Sequence, residues 1–266
     1  LARPLAAMTA LQHFGLPPAR WEGFHAAALA VMRARVEGLD DPAAPRDAEA
    51  AAAFILEALD DAAPPAGEHG STVAGELARA LDAGELSAAE AVMLPVHIGL
   101  AGNGPTAMAL GHAAAALAMH PHVAAALAAG TLGASAVIEE TLRWDSPTHA
   151  VPRFARRDTV LGGRRLRAGQ RLLVMIGAAN RDPERFADPD RFDPWRPGPR
   201  HLSFGVGTHY CLGAPLARAE LAIALEELVR RFGVPRVVEA ARGGTFLVRG
   251  FERLAIAPRE PGELEG

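Results

Sequence analysis

Cys211 is the one cysteine among 266 residues, and it lies in Phe204-Gly205-Val206-Gly207-Thr208-His209-Tyr210-Cys211-Leu212-Gly213. A single thiol is ordinarily a small buried hydrophobe, but these neighbours point to ligand chemistry. Gly205, Gly207 and Gly213 permit a tight loop and leave room for something large and flat against the backbone. Pro215 suits the first turn of a helix that runs to about Phe232. A sulfur just ahead of that helix meets unpaired N–H groups and the positive end of its dipole, which suit a thiolate. A thiolate in a glycine-lined loop is a soft metal ligand. A haem iron held by it uses every residue of the stretch.

Two other groups stand out. Glu140 and Arg143 sit at i and i+3 of a helix, where carboxylate and guanidinium can meet on one face; taken alone, such a pair is most often a solvated contact of little worth. The stretch Ala101-Gly102-Asn103-Gly104-Pro105-Thr106 interrupts a long helical pattern. Proline there removes an N–H, and the two glycines soften the same turn.

The elements that must position these groups are mainly helical. Helices are predicted over Leu5 to Leu16, Trp21 to Val36, Arg46 to Leu59 and Thr72 to Ala83. Asp40 to Pro45 reads as a turn and Asp60 to Gly70 as a mobile stretch. Ser87 followed by Glu90 forms a capping box for a long helix from about Ala88 to Met119, which Pro121 ends. A short helix and then Ala134 to Arg143 follow. Gly162-Gly163 between Thr159-Val160-Leu161 and Arg164-Arg165-Leu166 signals a hairpin. Leu172 to Ile176 reads as a strand, Asn180 to His201 as irregular chain, and Thr245 to Ile256 as a last hairpin.

Composition narrows the function. Half the residues are hydrophobic and only 5% aromatic, which favours a helical interior. A net charge of −4 makes no electrostatic case for nucleic acid. All 27 basic residues are arginine, a bias read as codon usage. The longest apolar run, Ala91 to Ala101, falls short of the ~20 residues that span a bilayer. With no signal-peptide pattern, no membrane segment and no possible internal disulfide, a cytoplasmic location is expected.

The cysteine stretch resembles the haem-binding loop of the cytochrome P450 family, Phe-Gly-x-Gly-x-His-x-Cys-x-Gly, at every defined position. The order and spacing agree from about Leu86 onward: Glu140-x-x-Arg143, a proline-rich meander with Phe186 and Pro189-Asp190-Arg191-Phe192, then His201-Leu202-Ser203-Phe204. The resemblance implies a mainly α P450-like fold with small β hairpins, shortened at its N-terminus. Residues 1–85 form a weakly similar helical segment, and 86–266 the haem-binding core. It implies haem b (iron protoporphyrin IX), with Cys211 on the iron and Phe204, Gly205 and Gly213 shaping the loop. Arg153, His201 and His209 match propionate contacts, and Thr148 to Val151 match the pocket wall. Glu140, Arg143 and Arg191 match a buried triad beneath the haem.

Two departures matter. The family follows Ala-Gly with a variable residue, an acid and a threonine, which pass protons to iron-bound dioxygen. Here Gly102 is followed by Gly104 and Pro105 at the acid and alcohol positions, with Thr106 one residue late, roughly 100° further round. Peroxide then becomes an alternative to dioxygen and a ferredoxin or reductase partner, while a proton from the substrate or an ordered water would keep the dioxygen reaction. The family's N-terminal sheet and early helices also have no counterpart. A compact enzyme, a partial chain and a degenerate relative all stay open. The expected activity is oxidative tailoring of a small apolar molecule. The alternative is a non-catalytic haem-binding or accessory protein, with a second chain or a homo-oligomer completing the fold.

Overall fold

The computed structural model describes residues 2–37, 44–62, 72–198 and 200–259. They fall into two compact units, 1–104 and 105–266. The first holds α1 (Ala2–Phe14), α2 (Trp21–Glu37), α3 (Ala44–Ala62), α4 (Val73–Asp82) and the start of α5 (Ala88–Met119). After α1, Pro17 and Pro18 cannot extend the helix, and the Trp21 indole N–H donates to the Leu16 carbonyl at 2.8 Å to fix the turn. Phe14, Phe24, Ile55, Ala58 and Val96 are almost completely buried. A Cβ on Gly23 would come within 2.7 Å of the Phe54 ring, so α2 and α3 approach closely there. The expected turn at Asp40 and the stretch to Gly70 lie largely outside the described residues; α3 itself takes Ala44, Pro45 and Asp60 to Ala62.

The capping box forms as its spacing predicts. The Ser87 N–H donates to the Glu90 carboxylate at 2.9 Å, and the Glu90 N–H returns to the Ser87 hydroxyl at 3.3 Å. From it α5 runs over its predicted span with Pro95 and Pro105 inside. Each proline leaves the carbonyl four residues earlier, Ala91 or Ala101, without an intrahelical N–H.

The second unit continues with α6 (Pro121–Ala128), α7 (Ala134–Trp144), β1 (Val151–Phe154), β2 (Thr159–Leu161), β3 (Arg164–Leu166), β4 (Arg171–Val174), α8 (Ile176–Ala179), α9 (Ala214–Phe232), β5 (Pro235–Gly244) and β6 (Arg249–Pro258). Its strands form three antiparallel pairs, β1–β4, β2–β3 and β5–β6. The β2–β3 hairpin has the predicted register, with Gly162 and Gly163 both at positive φ. Three details differ from the sequence reading. The strand β1 carries Pro152 and no alternation, and it exists through its pairing with β4. Ile176 leaves the predicted strand and opens α8. The last hairpin starts at Pro235, and Thr245 lies in its turn, where its hydroxyl accepts from the N–H groups of Leu247 and Val248.

The core of this unit is α9 packed on α6 and α7. Leu221, Leu225, Leu228 and Val229 supply the apolar face of α9, spaced at three and four residues, and Val123, Val137 and Ile138 are as deeply buried. Alanines 113–116 and 118 with Leu117 are buried on every side, as small residues in a crowded helix allow. Among the described residues no helix is long and apolar enough to cross a membrane. Leu225 has no exposure, so Leu225→Ala should cost about 2–5 kcal/mol, measurable as a lower urea midpoint.

Candidate active site

Arg143, on the last turn of α7, is 3% exposed, and all five of its N–H groups have acceptors. Nε and Nη2 grip the two Glu140 oxygens at 2.7 and 2.8 Å. Nη1 donates to the carbonyls of Asn180 and Pro189 at 2.9 and 2.8 Å, and Nη2 also to that of Arg191 at 3.0 Å. The guanidinium lies 5.3 Å from the Phe186 ring. Glu140 accepts in turn from the Asp193 N–H at 2.8 Å. The pair is therefore a buried clasp on the irregular segment, not a solvated contact.

The third member of that clasp is Arg196. The expectation named Arg191, but its side chain is 70% exposed and only its carbonyl reaches Arg143. Arg196, 12% exposed, brings Nε to 3.5 Å from Glu140 and donates to the carbonyls of Ala187, Asp188 and Arg191. Asp188, which lies ahead of both arginines, holds a left-handed φ of +45°.

Asn180 was not singled out by sequence. It is fully buried; its amide nitrogen donates to the Ser203 hydroxyl at 2.9 Å, and its oxygen accepts from the Leu202 N–H at 2.7 Å. Ser203 then donates to the Leu142 carbonyl at 2.6 Å. This side chain joins α7, the irregular segment and the cysteine loop. The only signal in the sequence was a polar residue ending an apolar run.

The loop closes on itself through the Cys211 N–H donating to the Phe204 carbonyl at 2.8 Å and the Gly205 N–H to that of Leu202 at 2.8 Å. Gly205 and Gly207 have φ of +69° and +72°, a region that favours glycine. A Cβ on Gly213 would sit 4.0 Å from the Cys211 sulfur. Cys211 is exposed, and it heads α9 through its carbonyl, which accepts from the Ala214 N–H. Val206 and Leu212 beside it are 71% and 88% exposed. A soft donor in the open between uncovered apolar side chains fits haem b, whose apolar face would cover them. Among the described residues no three His, Cys, Asp or Glu side chains gather as an alternative metal site.

The predicted propionate residues differ in freedom. Arg153 is exposed on β1, its guanidinium donating to the neighbouring Pro152 carbonyl at 2.8 Å, and His209 is exposed in a 3-10 turn at Gly207–His209. His201 is placed otherwise. Its side chain is 5% exposed, with Nε2 3.3 Å from Glu139 and Nδ1 accepting from the Ser203 N–H. Both ring nitrogens are turned to the protein. Burial pushes the Glu139 carboxyl up, but His201 and Arg218 outweigh it and hold its pKa at about 2.

Gly102, Gly104, Pro105 and Thr106 all lie on α5, with Pro105 and Thr106 in the unit that holds Cys211. Thr106 is buried, and a Cβ at Gly104 would meet nothing within 4 Å. Thr148 bridges to Val248, so the expected pocket segment is paired with the turn of the last hairpin. That turn adds Phe246 and Leu247, both exposed, which sequence reading did not single out.

Comparison with known proteins gives one consistent family. The model of the family described as Cytochrome P450 matches residues 134–238. Cytochrome P450 144 of Mycobacterium tuberculosis is 40% identical over 209 residues, covering 77% of this chain and 47% of its own. Putative cytochrome P450 126 of the same species is 42% identical over 179 residues, covering 67% and 43%. The crystal structure of CalO2 superimposes with a TM-score of 0.85 at 32% identity, and ligand-free CYP164A2 of Mycobacterium smegmatis with 0.80 at 33%. These two matches cover 97% of this chain, N-terminal helices included, and 66% and 68% of the other. The chain thus spans about half the length of the curated relatives it matches.

Two tests separate the clasp from its surroundings. Arg196→Ala removes the hydrogen bonds to three carbonyls and a second cation beside Glu140, which Arg143 still holds, and should destabilise the fold by about 1–3 kcal/mol, whereas Arg191→Ala should stay within about 0.5 kcal/mol; chemical denaturation measures both. Glu139 has a folded pKa of about 2 against an ordinary 4.5, so its stabilisation is complete above the ordinary value and is lost as pH falls from there toward 2. Glu139→Gln should flatten the acid limb of the stability profile in that window, followed by circular dichroism.

Proposed function

Because the chain belongs to the cytochrome P450 family, we propose that it is a haem-thiolate oxidoreductase acting on a small apolar organic molecule. The observation that carries this reading is Cys211, exposed at the head of α9 in a glycine-turned loop and flanked by uncovered Val206 and Leu212. Haem b, when bound, supplies the oxidising centre, and thiolate ligation favours O–O cleavage there. Cys211 offers the sulfur, and the Phe204 carbonyl sets its position through the Cys211 N–H. Arg153 and His209, both exposed, would hold the haem propionates. Thr148 to Val151, paired with the turn that carries Phe246 and Leu247, would line the pocket and orient substrate.

The oxidant follows from α5. Dioxygen needs two electrons and two protons to reach the level of hydrogen peroxide, and Gly104 and Pro105 offer neither an acid nor a hydroxyl to deliver protons. Peroxide arrives with both already added. We therefore favour peroxide over dioxygen with a ferredoxin or reductase system; a proton supplied by the substrate would keep the dioxygen reaction and its electron donor. The same two residues favour one competing reading, a haem-binding accessory chain without turnover.

The reduced protein under carbon monoxide should show the strongly red-shifted Soret band of thiolate ligation, and Cys211→Ser should abolish it. An unchanged band in that variant would refute the assignment of the ligand. Peroxide-supported oxidation of a generic apolar substrate supports the enzyme; haem binding without turnover supports the accessory chain. Gly104→Glu with Pro105→Thr, in the open space beyond Gly104, should raise dioxygen-driven turnover if proton delivery is what limits it.

A further inference from the structure

We propose that Arg218 is a positioning residue for the iron-ligating loop, holding the side chains of Phe204 and Tyr210, the residues that fix the backbone of Cys211. The inference rests on Cys211 being the iron ligand. Phe204 accepts the Cys211 N–H, and Tyr210 precedes Cys211 in the chain. The helix α9 leaves the loop at Ala214 and brings Arg218 back one turn later. Its guanidinium lies 4.4 Å from the Phe204 ring centroid, a cation–π distance, and donates to the Tyr210 hydroxyl at 3.1 Å.

A long cation can act as a clamp only if it is itself held. Glu139 does this with a bidentate grip, Nε to Oε1 at 2.7 Å and Nη2 to Oε2 at 3.0 Å. The His201 Nε2 lies 3.3 Å from the Glu139 carboxylate, and the His201 ring lies 5.8 Å from that of Phe204. The four side chains close a circuit, Phe204 to Arg218 to Glu139 to His201 and back. It joins α7, α9 and the entry arm of the loop, and Arg218 reaches the other arm at Tyr210.

A surface ion pair would lack these features, and α9 carries one for comparison. Arg230 is 67% exposed and pairs with Glu227 one turn away on the same helix. Arg218 instead reaches Glu139, 79 residues away in sequence, and is 34% exposed. Its several simultaneous contacts need a planar fork. A lysine keeps the charge but cannot grip two oxygens, donate to a hydroxyl and stack on a ring together.

The consequence for the ligand is twofold. A loosened loop lets the sulfur drift from the iron. Removing a cation near the loop also disfavours the added electron of the ferrous state. Arg218→Gln should therefore lower the share of the carbon monoxide complex absorbing at the thiolate position and move the iron midpoint potential negative. Arg218→Lys should keep the potential nearer that of the unaltered protein while still losing thiolate share. Arg230→Gln should change neither.

In the haem-free full chain, the Cys211 amide should exchange about tenfold faster in both Arg218 variants. If Arg218→Gln fails to fold, Arg218→Lys carries the same measurements. Unaltered thiolate share and unaltered amide exchange in the Arg218 variants would overturn the proposal. If the unaltered protein itself lacks the thiolate band, the ligand assignment fails separately, and amide exchange still decides whether Arg218 holds the loop.

Discussion

The buried guanidinium of Arg143 is the contact on which the rest of the second unit depends. A cation so placed is tolerable only when every donor is matched, and here the matches come from one carboxylate and three carbonyls of an irregular segment. That segment has no strand or helix ladder to use its own carbonyls. Each side thus solves the other's problem: the irregular chain satisfies the arginine, and the arginine satisfies the irregular chain. The segment's path from Asn180 to Asp193 is set by this exchange, and the cysteine loop begins where that path ends.

Adjacent carboxylates on α7 divide the work. Glu140 faces Arg143, Arg196 and the Asp193 N–H, while Glu139 faces Arg218 and His201. Consecutive helical residues point about 100° apart, so one helix can grip the irregular segment with one residue and the loop with the next. Asn180 links the two from the other side, through Leu202 and Ser203. The loop around Cys211 is consequently held at its root and at its ring, with the sulfur itself left open.

Much of this was legible in the residues. The long helix with its capping box, the Gly162-Gly163 hairpin and the helix after Cys211 rest on interactions between near neighbours, and the structure has them where the spacing put them. The strand β1 and the start of the last hairpin were not legible, because they exist through pairing with distant chain. The choice of Arg196 over Arg191 depends on the path of the folded segment, and no pattern of residue types reports that path. His201 looked like a free cation beside the loop; only packing shows it spent on Glu139 and Ser203.

By itself, then, the sequence determined the thiol and the nature of its loop: one cysteine, glycines where the backbone must turn left-handed, and a helix behind it. These are local requirements, met by residues within a few positions of each other. Only the tertiary structure decided which cations are buried, which carboxylate each one meets and what fastens the loop to the core. Long side chains reach many partners of similar energy in an unfolded chain, and the packing of α7 against α9 and the irregular segment leaves each of them one.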